Sequence, residues 1–504
     1  MRRGLLLPLL ALSACMVGPD YKKPDPILST EYKELQGWTI AQPQDATDRG
    51  DWWSVYRDPV LDALERQVEV SNQTVKQFEA QYRNAVALVQ GAQANLFPVV
   101  GVNANVTRRS GFGGSGSTGA NIINSTGIAT NTTGNGVSGG GGSSGAPRNQ
   151  YSLEGTADWT LDVWGAIRRQ VESQVAGAQV SAADLANAKL SAQATLATDY
   201  FDLRAEDSLE AILRNTVAAF ERSLQIVQNQ HAAGTVSEAD VVTAQAQLEG
   251  ARAQLVGVGV QRAQFEHAIA VLTGHPPAEL TIPPAPLMLN VPVMPPGLPS
   301  TLLQRRPDIA AAERQMQQEN ELIGVQVAAY YPTISLSTLA GYVGSPLSQL
   351  FTTANRIWSL GASANETLFA GGARSSAVAA AQATYDQSVG NYRQVVLTAL
   401  QQVEDQLSTL RILEQQARAE AIAVAAAQRA VDVTLNQYRA GTVAYTTVIT
   451  EQTSLLSDQQ AQLAVQQNRL VASVALITAL GGGWNKDELP TRDDLPHALD
   501  VLKP

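Results

Sequence analysis

The sequence predicts an α+β membrane protein of two structural repeats. Four strands per chain would join a trimeric 12-stranded β-barrel, which a long α-helical barrel continues. The main observation is an internal repeat: residues 229–248 (NQHAAGTVSEADVVTAQAQL) resemble residues 436–455 (NQYRAGTVAYTTVITEQTSL), 207 positions further on (436 − 229). Each copy interrupts a long Ala- and Gln-rich helical region at one glycine, a pattern typical of a helix end followed by a chain reversal.

The composition narrows the classes of function. The 504 residues are 44% hydrophobic and 16% charged, which is typical of a folded protein. The formal net charge of −11 argues against a nucleic-acid partner. The four histidines show no metal-ligand spacing, and we find no catalytic triad, phosphate-binding loop or HExxH motif. We therefore predict that the protein is not an enzyme and has no cofactor apart from a covalent lipid.

The N-terminus has the features of an exported protein. A basic start, a short apolar run and small residues predict a signal peptide over residues 1–14. The sequence Leu12-Ser13-Ala14-Cys15 resembles the bacterial lipobox, which implies a lipid on Cys15 and an anchor in the outer membrane. The alternative is a chance cysteine after an ordinary signal peptide. Residues 15–57 lack periodicity and carry several prolines, so we expect an extended segment lying on the rest of the protein.

The first repeat is expected over residues 58–275. Proline is absent from residue 166 to about residue 230, which would give roughly 65 residues or about 97 Å of continuous helix. The other elements follow from apolar periodicity and breakers. They are an N-capped helix start at Asp58-Pro59, strands at about 99–109 and 150–163 around a Gly/Ser-rich loop at 111–145, and a hairpin tip near Gly234.

The second repeat is expected over residues 301–484. A connector over residues 276–300 contains nine prolines and separates the two halves. Arg305-Arg306-Pro307-Asp308 resembles a site but is better explained as a helix start, because Pro307 suits the first turn. The remaining elements are strands at about 333–344 and 357–369, a hairpin tip near Gly441 and a C-terminal tail over residues 485–504.

The number of strands has a consequence for assembly. Four strands leave two unpaired edges, and an open edge is not tolerated in lipid. A sheet of four strands cannot close on itself, so the chain must pool strands with copies of itself. Three copies would give about twelve strands, an even number that suits outer-membrane barrels.

A series of short motifs supports the same architecture. Singly each is weak, but their order together with the duplication is specific. They resemble the TolC-type outer-membrane efflux proteins, in the lipoprotein (NodT) branch, over nearly the whole mature chain. The motifs are the lipobox, Trp52-Trp53 with Asp58-Pro59, residues 159–165 (WTLDVWG), residues 305–309 (RRPDI) with Ala312-Glu313, Tyr331-Pro332, residues 438–441 (YRAG) and residues 480–484 (LGGGW).

The resemblance implies a function and partners. It implies a homotrimeric channel-tunnel in the bacterial outer membrane, closed at its periplasmic helix tips. The tips would open when a periplasmic adaptor bound to an inner-membrane transporter docks there. The cargo stays open among drugs, metals, aromatic compounds and proteins. Two other classes of protein were compared with this sequence. A trimeric adhesive coiled coil would need sustained heptads and one terminal barrel segment, whereas the strands predicted here are internal and duplicated. A periplasmic enzyme would need a clustered polar site.

The resemblance also points to gate residues, although the usual pair is missing. The family commonly has an Asp nine residues after the second tip glycine and an Arg three residues further, where this chain has Thr450 and Thr453. Glu238 and Asp240 of the first tip have two possible roles. Repeated in three chains, they could form a ring of carboxylates that favours cations. Alternatively, they serve only as first-turn acids of the helix after Gly234. The candidate gate and docking residues are Gly234, Glu238, Asp240, Tyr438, Arg439, Gly441, Tyr445, Thr450 and Glu451.

Overall fold

The structure, a computed structural model, describes residues 16–26, 31–34, 51–109, 148–292, 299 and 302–498. The proposed lipid attachment point Cys15, the signal peptide and the Gly/Ser-rich loop at 111–145 lie outside the described residues. The chain divides into two compact units. Of the described residues, one unit contains 16–17, 93–109, 148–168 and 327–374, and the other contains the rest.

In the described parts of the chain, one antiparallel four-stranded sheet forms the first unit, and its four strands agree with the four that the sequence predicts. The second and third strands pair with each other, with Trp159 opposite Leu336, and so join the two repeats. The spatial order follows the chain order. The strands are β1 (Val99–Arg109), β2 (Arg148–Leu161), β3 (Thr333–Gly344) and β4 (Arg356–Asn365).

Two strands end earlier than the sequence pattern predicts. The expected strand at 357–369 ends at Asn365, opposite Thr333, because the preceding Pro332 has no N–H to extend the ladder. The expected strand at 150–163 ends at Leu161. The carboxylate of Asp162 instead accepts hydrogen bonds from the backbone N–H groups of Ile167 and Arg168, and so stabilises the start of the following helix.

The sheet exposes apolar side chains and has two outer strands, β1 and β4. On β1, Val100 and Val102 are 73% and 75% exposed. On β4, Trp358 and Leu360 are 72% and 76% exposed. Strands with exposed apolar residues at a free edge pair readily with further strands.

Long helices make up the second unit, as the sequence predicts. The two longest have 67 residues each and their successors have 35 each, so the two repeats match in length. No helix in the described part of the chain is long and apolar enough to cross a membrane. The α-helices longer than one turn in the described residues are α1 (Pro59–Ser71), α2 (Gln73–Ala94), α3 (Ala166–Ala232), α4 (Glu238–Leu272), α5 (Pro307–Ala328), α6 (Ala373–Arg439) and α7 (Tyr445–Ala479). A single turn of helix over Leu302–Arg305 precedes α5.

Local sequence explains where several helices begin. Asp58 caps α1 by accepting hydrogen bonds from the N–H groups of Val60 and Leu61, with proline at the first helical position. Arg306 forms an ion pair with Asp308 at 2.6 Å and donates to the carbonyl of Ala479, so it ties the start of α5 to the end of α7. These contacts support a helix-start role for the Arg-Arg-Pro-Asp motif.

The core of the helical unit combines residues of both repeats. One cluster surrounds the fully buried Trp53, Tyr200 and Phe201 and includes Leu470 of α7. A second cluster surrounds Met316 and Tyr392. The predicted extended segment at 15–57 also contains a short 3-10 helix over Trp52–Tyr56, which carries Trp53 into the first cluster. The repeats are therefore packed as one body within this unit.

One acid lies inside this core. Glu65 on α1 is fully buried, and in the described structure neither of its carboxylate oxygens has a hydrogen-bond partner. Burial, reinforced by the nearby Asp62, raises the pKa of Glu65 to about 9. The Glu65 carboxyl is therefore protonated at neutral pH. Because the pKa of Glu65 is higher in the folded state, this carboxyl contributes to the free energy of unfolding in a pH-dependent way. The contribution is fully present below about pH 4.5 and is lost as the pH rises toward 9.

Replacing Glu65 with Gln should remove this pH dependence. We expect hydrogen-exchange protection of α1, corrected for intrinsic rates, to fall between pH 5 and 9 in the unmodified protein and to stay level in Glu65→Gln. Glu69→Gln on the same helix is the matched control, because the Glu69 side chain is 55% exposed and pairs with Lys189. Equal pH slopes in the protein and Glu65→Gln would contradict the assignment.

Candidate functional site at the hairpin tips

The two reversals have the same backbone geometry. Gly234 and Gly441 adopt φ of +75° and +72°, a left-handed conformation that glycine tolerates without strain. At each tip the N–H after the glycine donates to a carbonyl five residues back, at 3.0 Å from Thr235 to Gln230 and from Thr442 to Gln437. These bonds satisfy carbonyls at the helix ends. The repeat seen in the sequence is thus a repeat of structure.

The side chains after the two reversals differ. Ser237 caps α4, because its Oγ accepts a hydrogen bond from the backbone N–H of Asp240 at 3.4 Å. Its own backbone N–H donates to the Asp240 carboxylate at 3.2 Å, and the two bonds form a capping box. Ala444 occupies the equivalent position before α7 and provides no side-chain cap. Asp240 therefore has the helix-start role that was the alternative to a gate role, whereas Glu238 is exposed in the first turn.

Two tyrosines join the hairpins of one chain. Tyr438 and Tyr445 are each 4% exposed, and their ring centroids lie 5.4 Å apart. They pack in one cluster with Val227 and Ala244 of the first hairpin. Burial, then Tyr438 and Asp240, raises the pKa of Tyr445 to about 12, and burial followed by Asp240 also raises the pKa of Tyr438. Both phenols are therefore neutral, and the gate role expected for them from the sequence stays a prediction.

The other predicted gate residues lie outside this cluster. Thr450 is exposed and donates to the carbonyl of Thr446 at 3.0 Å, and Thr453 bonds back to its own helix in the same way. Arg439 is exposed and its nearest polar contact is Asn436 at 3.5 Å. Glu451 is partly exposed. The structure therefore brings together Asp240, Tyr438 and Tyr445, and leaves Glu238, Arg439, Thr450 and Glu451 on the surface around them.

A buried polar contact between the hairpins is not predicted from the sequence. Gln452 Nε2 of α7 donates to Ser223 Oγ of α3 at 3.0 Å, and both residues are buried. Gln452 is one of the residues that match between the two copies of the repeat, where its counterpart is Gln245. That match marks the position as unusual, but periodicity alone does not show which face of the helix is buried.

The described residues contain no catalytic or metal-binding arrangement at the tips. No group of three or more His, Cys, Asp or Glu side chains in the described parts of the chain could hold a metal ion. The site consists of hairpin ends, exposed small residues and a buried aromatic pair. Such a site can bind another protein or change the spacing of the hairpins.

A sheet with exposed apolar edge strands, together with paired long helical hairpins, is consistent with a subunit of an outer-membrane channel. The chain belongs to the outer membrane efflux protein family, which matches residues 64–275 and 298–482. It is thus an outer-membrane efflux channel. It is 27% identical over 492 residues to the probable efflux pump outer membrane protein TtgC of Pseudomonas putida, covering 95% of each chain. It is 28% identical over 482 residues to the pyoverdine export outer membrane protein OpmQ of Pseudomonas aeruginosa, covering 95% of this chain and 97% of OpmQ.

Solved structures agree with this assignment. The outer-membrane channel OprN superposes with a TM-score of 0.82 at 28% identity, over 93% of this chain and all of OprN. The open state of the MtrE channel of Neisseria gonorrhoeae superposes with a TM-score of 0.79 at 24% identity, over 95% of this chain and all of MtrE. The latter comparison supports the fold alone.

Because only the first tip has a side-chain cap, one substitution at each tip should change helix stability in opposite directions. Ser237→Ala should destabilise the start of α4 by about 1 kcal/mol, so amides there should exchange roughly fivefold faster. Ala444→Ser at the matched position of the second tip should slow exchange at the start of α7 by a similar factor. The measurement is hydrogen exchange of the purified protein in detergent. No change at either tip would show that the caps do not set local stability.

Proposed function

We propose that three copies of this chain form a channel that carries small organic solutes from an inner-membrane transporter and a periplasmic adaptor across the outer membrane. The observation that supports the proposal is that the sheet does not close within one chain. Its outer strands β1 and β4 expose apolar residues such as Val102 and Leu360. Pairing β1 of one copy with β4 of the next gives twelve strands, and closure leaves no backbone group unpaired in lipid.

The periplasmic mouth would then consist of six hairpins, two from each chain. Within a chain the hairpins are held together by Tyr438, Tyr445 and the Gln452–Ser223 hydrogen bond. A closed mouth therefore depends on packing and hydroxyl groups in place of an Asp–Arg pair. Rings of Glu238 and Glu451 would give the mouth a negative potential that favours cations.

The exposed tips are suited to docking an adaptor. A side chain added at Gly234 or Gly441 would meet no atom within 4 Å, so these positions face open space in the described chain. Small residues at such ends allow another helical hairpin to approach closely. Gly441 would thus serve both the turn and the docking surface.

Cargo and membrane attachment complete the proposal. The names of relatives refer to antibiotics, toluene and pyoverdine, so small organic molecules, including drugs, are the proposed cargo. The proposed signal peptide at 1–14 would be removed, and lipid on Cys15 would add an anchor in the outer membrane. The Pro-rich residues 276–300 would connect the two repeats.

Substitutions at Gly441 test the docking surface. Gly441→Ala and Gly441→Trp share the cost of a side chain at positive φ, but only the tryptophan adds bulk at the tip. We expect both variants to assemble as trimers, Gly441→Ala to retain drug efflux, and Gly441→Trp to lose at least about tenfold of its efflux-dependent drug tolerance. The measurements are the mass of the detergent-purified complex and drug tolerance of cells that depend on this channel.

Two results would contradict the proposal. A monomeric mass for the unmodified protein would contradict the trimeric channel. Full efflux by an assembled Gly441→Trp trimer would contradict docking at this tip. Gly234→Ala and Gly234→Trp provide the matched pair at the first tip, where the backbone geometry is the same.

A further inference from the structure

A cavity of about 270 Å³ lies between the two hairpins of one chain. It is lined by residues 215–226 of α3, by residues 428–439 of α6 and by residues 452–459 of α7. Its apolar wall includes Phe220, Leu435 and Leu455. The volume is close to the lower end of small-molecule sites, at about 300 Å³, and is several times the roughly 30 Å³ of a water molecule.

A buried polar group in the lining has an unused acceptor. Gln452 is 6% exposed, and its Nε2 donates to Ser223 Oγ at 3.0 Å. Its Oε1 has no hydrogen-bond partner among the described residues. Burying an acceptor without a partner destabilises the folded chain. A water that donates to Oε1 and to an acceptor group of a bound ligand would supply the missing partner.

The charges around the cavity favour an anion. Arg222 and Arg439 line it, and in the described structure neither guanidinium has a carboxylate within 4 Å. The one acid in the lining is Asp432, which already accepts a hydrogen bond from Gln428 at 3.2 Å. The lining therefore carries one net positive charge beside an apolar wall. Guanidinium groups bind carboxylates and sulfonates through paired N–H groups and also stack on aromatic rings.

We propose that this cavity binds a small amphipathic organic anion, with its ring between Phe220 and Leu435 and its charged group at Arg222 and Arg439. Binding itself does not depend on the proposed channel function. Because the ligand contacts α3 on one side and α6 and α7 on the other, it stabilises the hairpin spacing seen in the structure. If the hairpins separate when the channel opens, the same ligand favours the closed mouth.

Calorimetric titration of the full-length protein in detergent with naphthalene-2-sulfonate tests the proposal, with 2-naphthol as the uncharged probe of similar shape. We expect saturable binding of the sulfonate and at least about tenfold weaker binding of the naphthol, equivalent to about 1.4 kcal/mol. The double variant Arg222→Gln/Arg439→Gln should weaken sulfonate binding by at least about tenfold, because the charge partners are lost. Ala219→Leu, which adds bulk to the cavity lining, should weaken binding of both probes.

The internal repeat provides a matched control. Arg429 is the counterpart of Arg222 at the same offset of 207 (429 − 222), and it is exposed and lies outside the cavity lining. Arg429→Gln should bind the sulfonate like the unmodified protein. In a second measurement, the sulfonate should slow amide exchange in residues 215–226 and 428–459 together. No binding, equal affinity for the two probes, or unchanged affinity in the double arginine variant would overturn the proposal.

Discussion

The buried contact between the two hairpins of a chain is the interaction on which the tip depends. Tyr438 and Tyr445 pack against Val227 and Ala244, although the helices that carry them belong to different repeats. Removing a buried aromatic ring costs about 3–5 kcal/mol, more than one capping residue or one surface ion pair contributes. The spacing of the hairpins is thus set by packing, which has discrete arrangements and can act as a two-state element.

The two tips have the same backbone geometry because the chain is duplicated. They differ in local stability because their side chains differ. Both reversals use a glycine at positive φ and the same carbonyl bonds. The first keeps a capping box at Ser237, and the second has Ala444 with the tyrosine pair beside it. The first hairpin therefore has a locally stabilised helix start. The second depends more on its contact with the first, which suits an element that moves during gating.

The sequence predicts much of the fold because helical periodicity, glycine breakers and prolines act locally. The long helices, the four strands and the reversals at Gly234 and Gly441 follow from such signals. The strand expected at 357–369 was too long, because its end depends on Pro332, which comes directly before the partner strand β3 and is remote in sequence. Burial of Gln452, and of Glu65 without a partner, could not be predicted, because which side of a weakly amphipathic helix is covered depends on tertiary packing.

We propose that the two hairpins of one chain separate when the channel opens, because the contact between them sets their spacing. Cysteines at Ser223 and Gln452, joined by a reducible bis-methanethiosulfonate, would hold the hairpins together at the place where they contact each other. Single-channel recording should show conductance lowered by at least about tenfold relative to the same trimers after reduction. Each single-cysteine variant treated with a monofunctional reagent provides the control. Equal conductance before and after reduction would show that the hairpins of one chain do not need to separate when the channel opens.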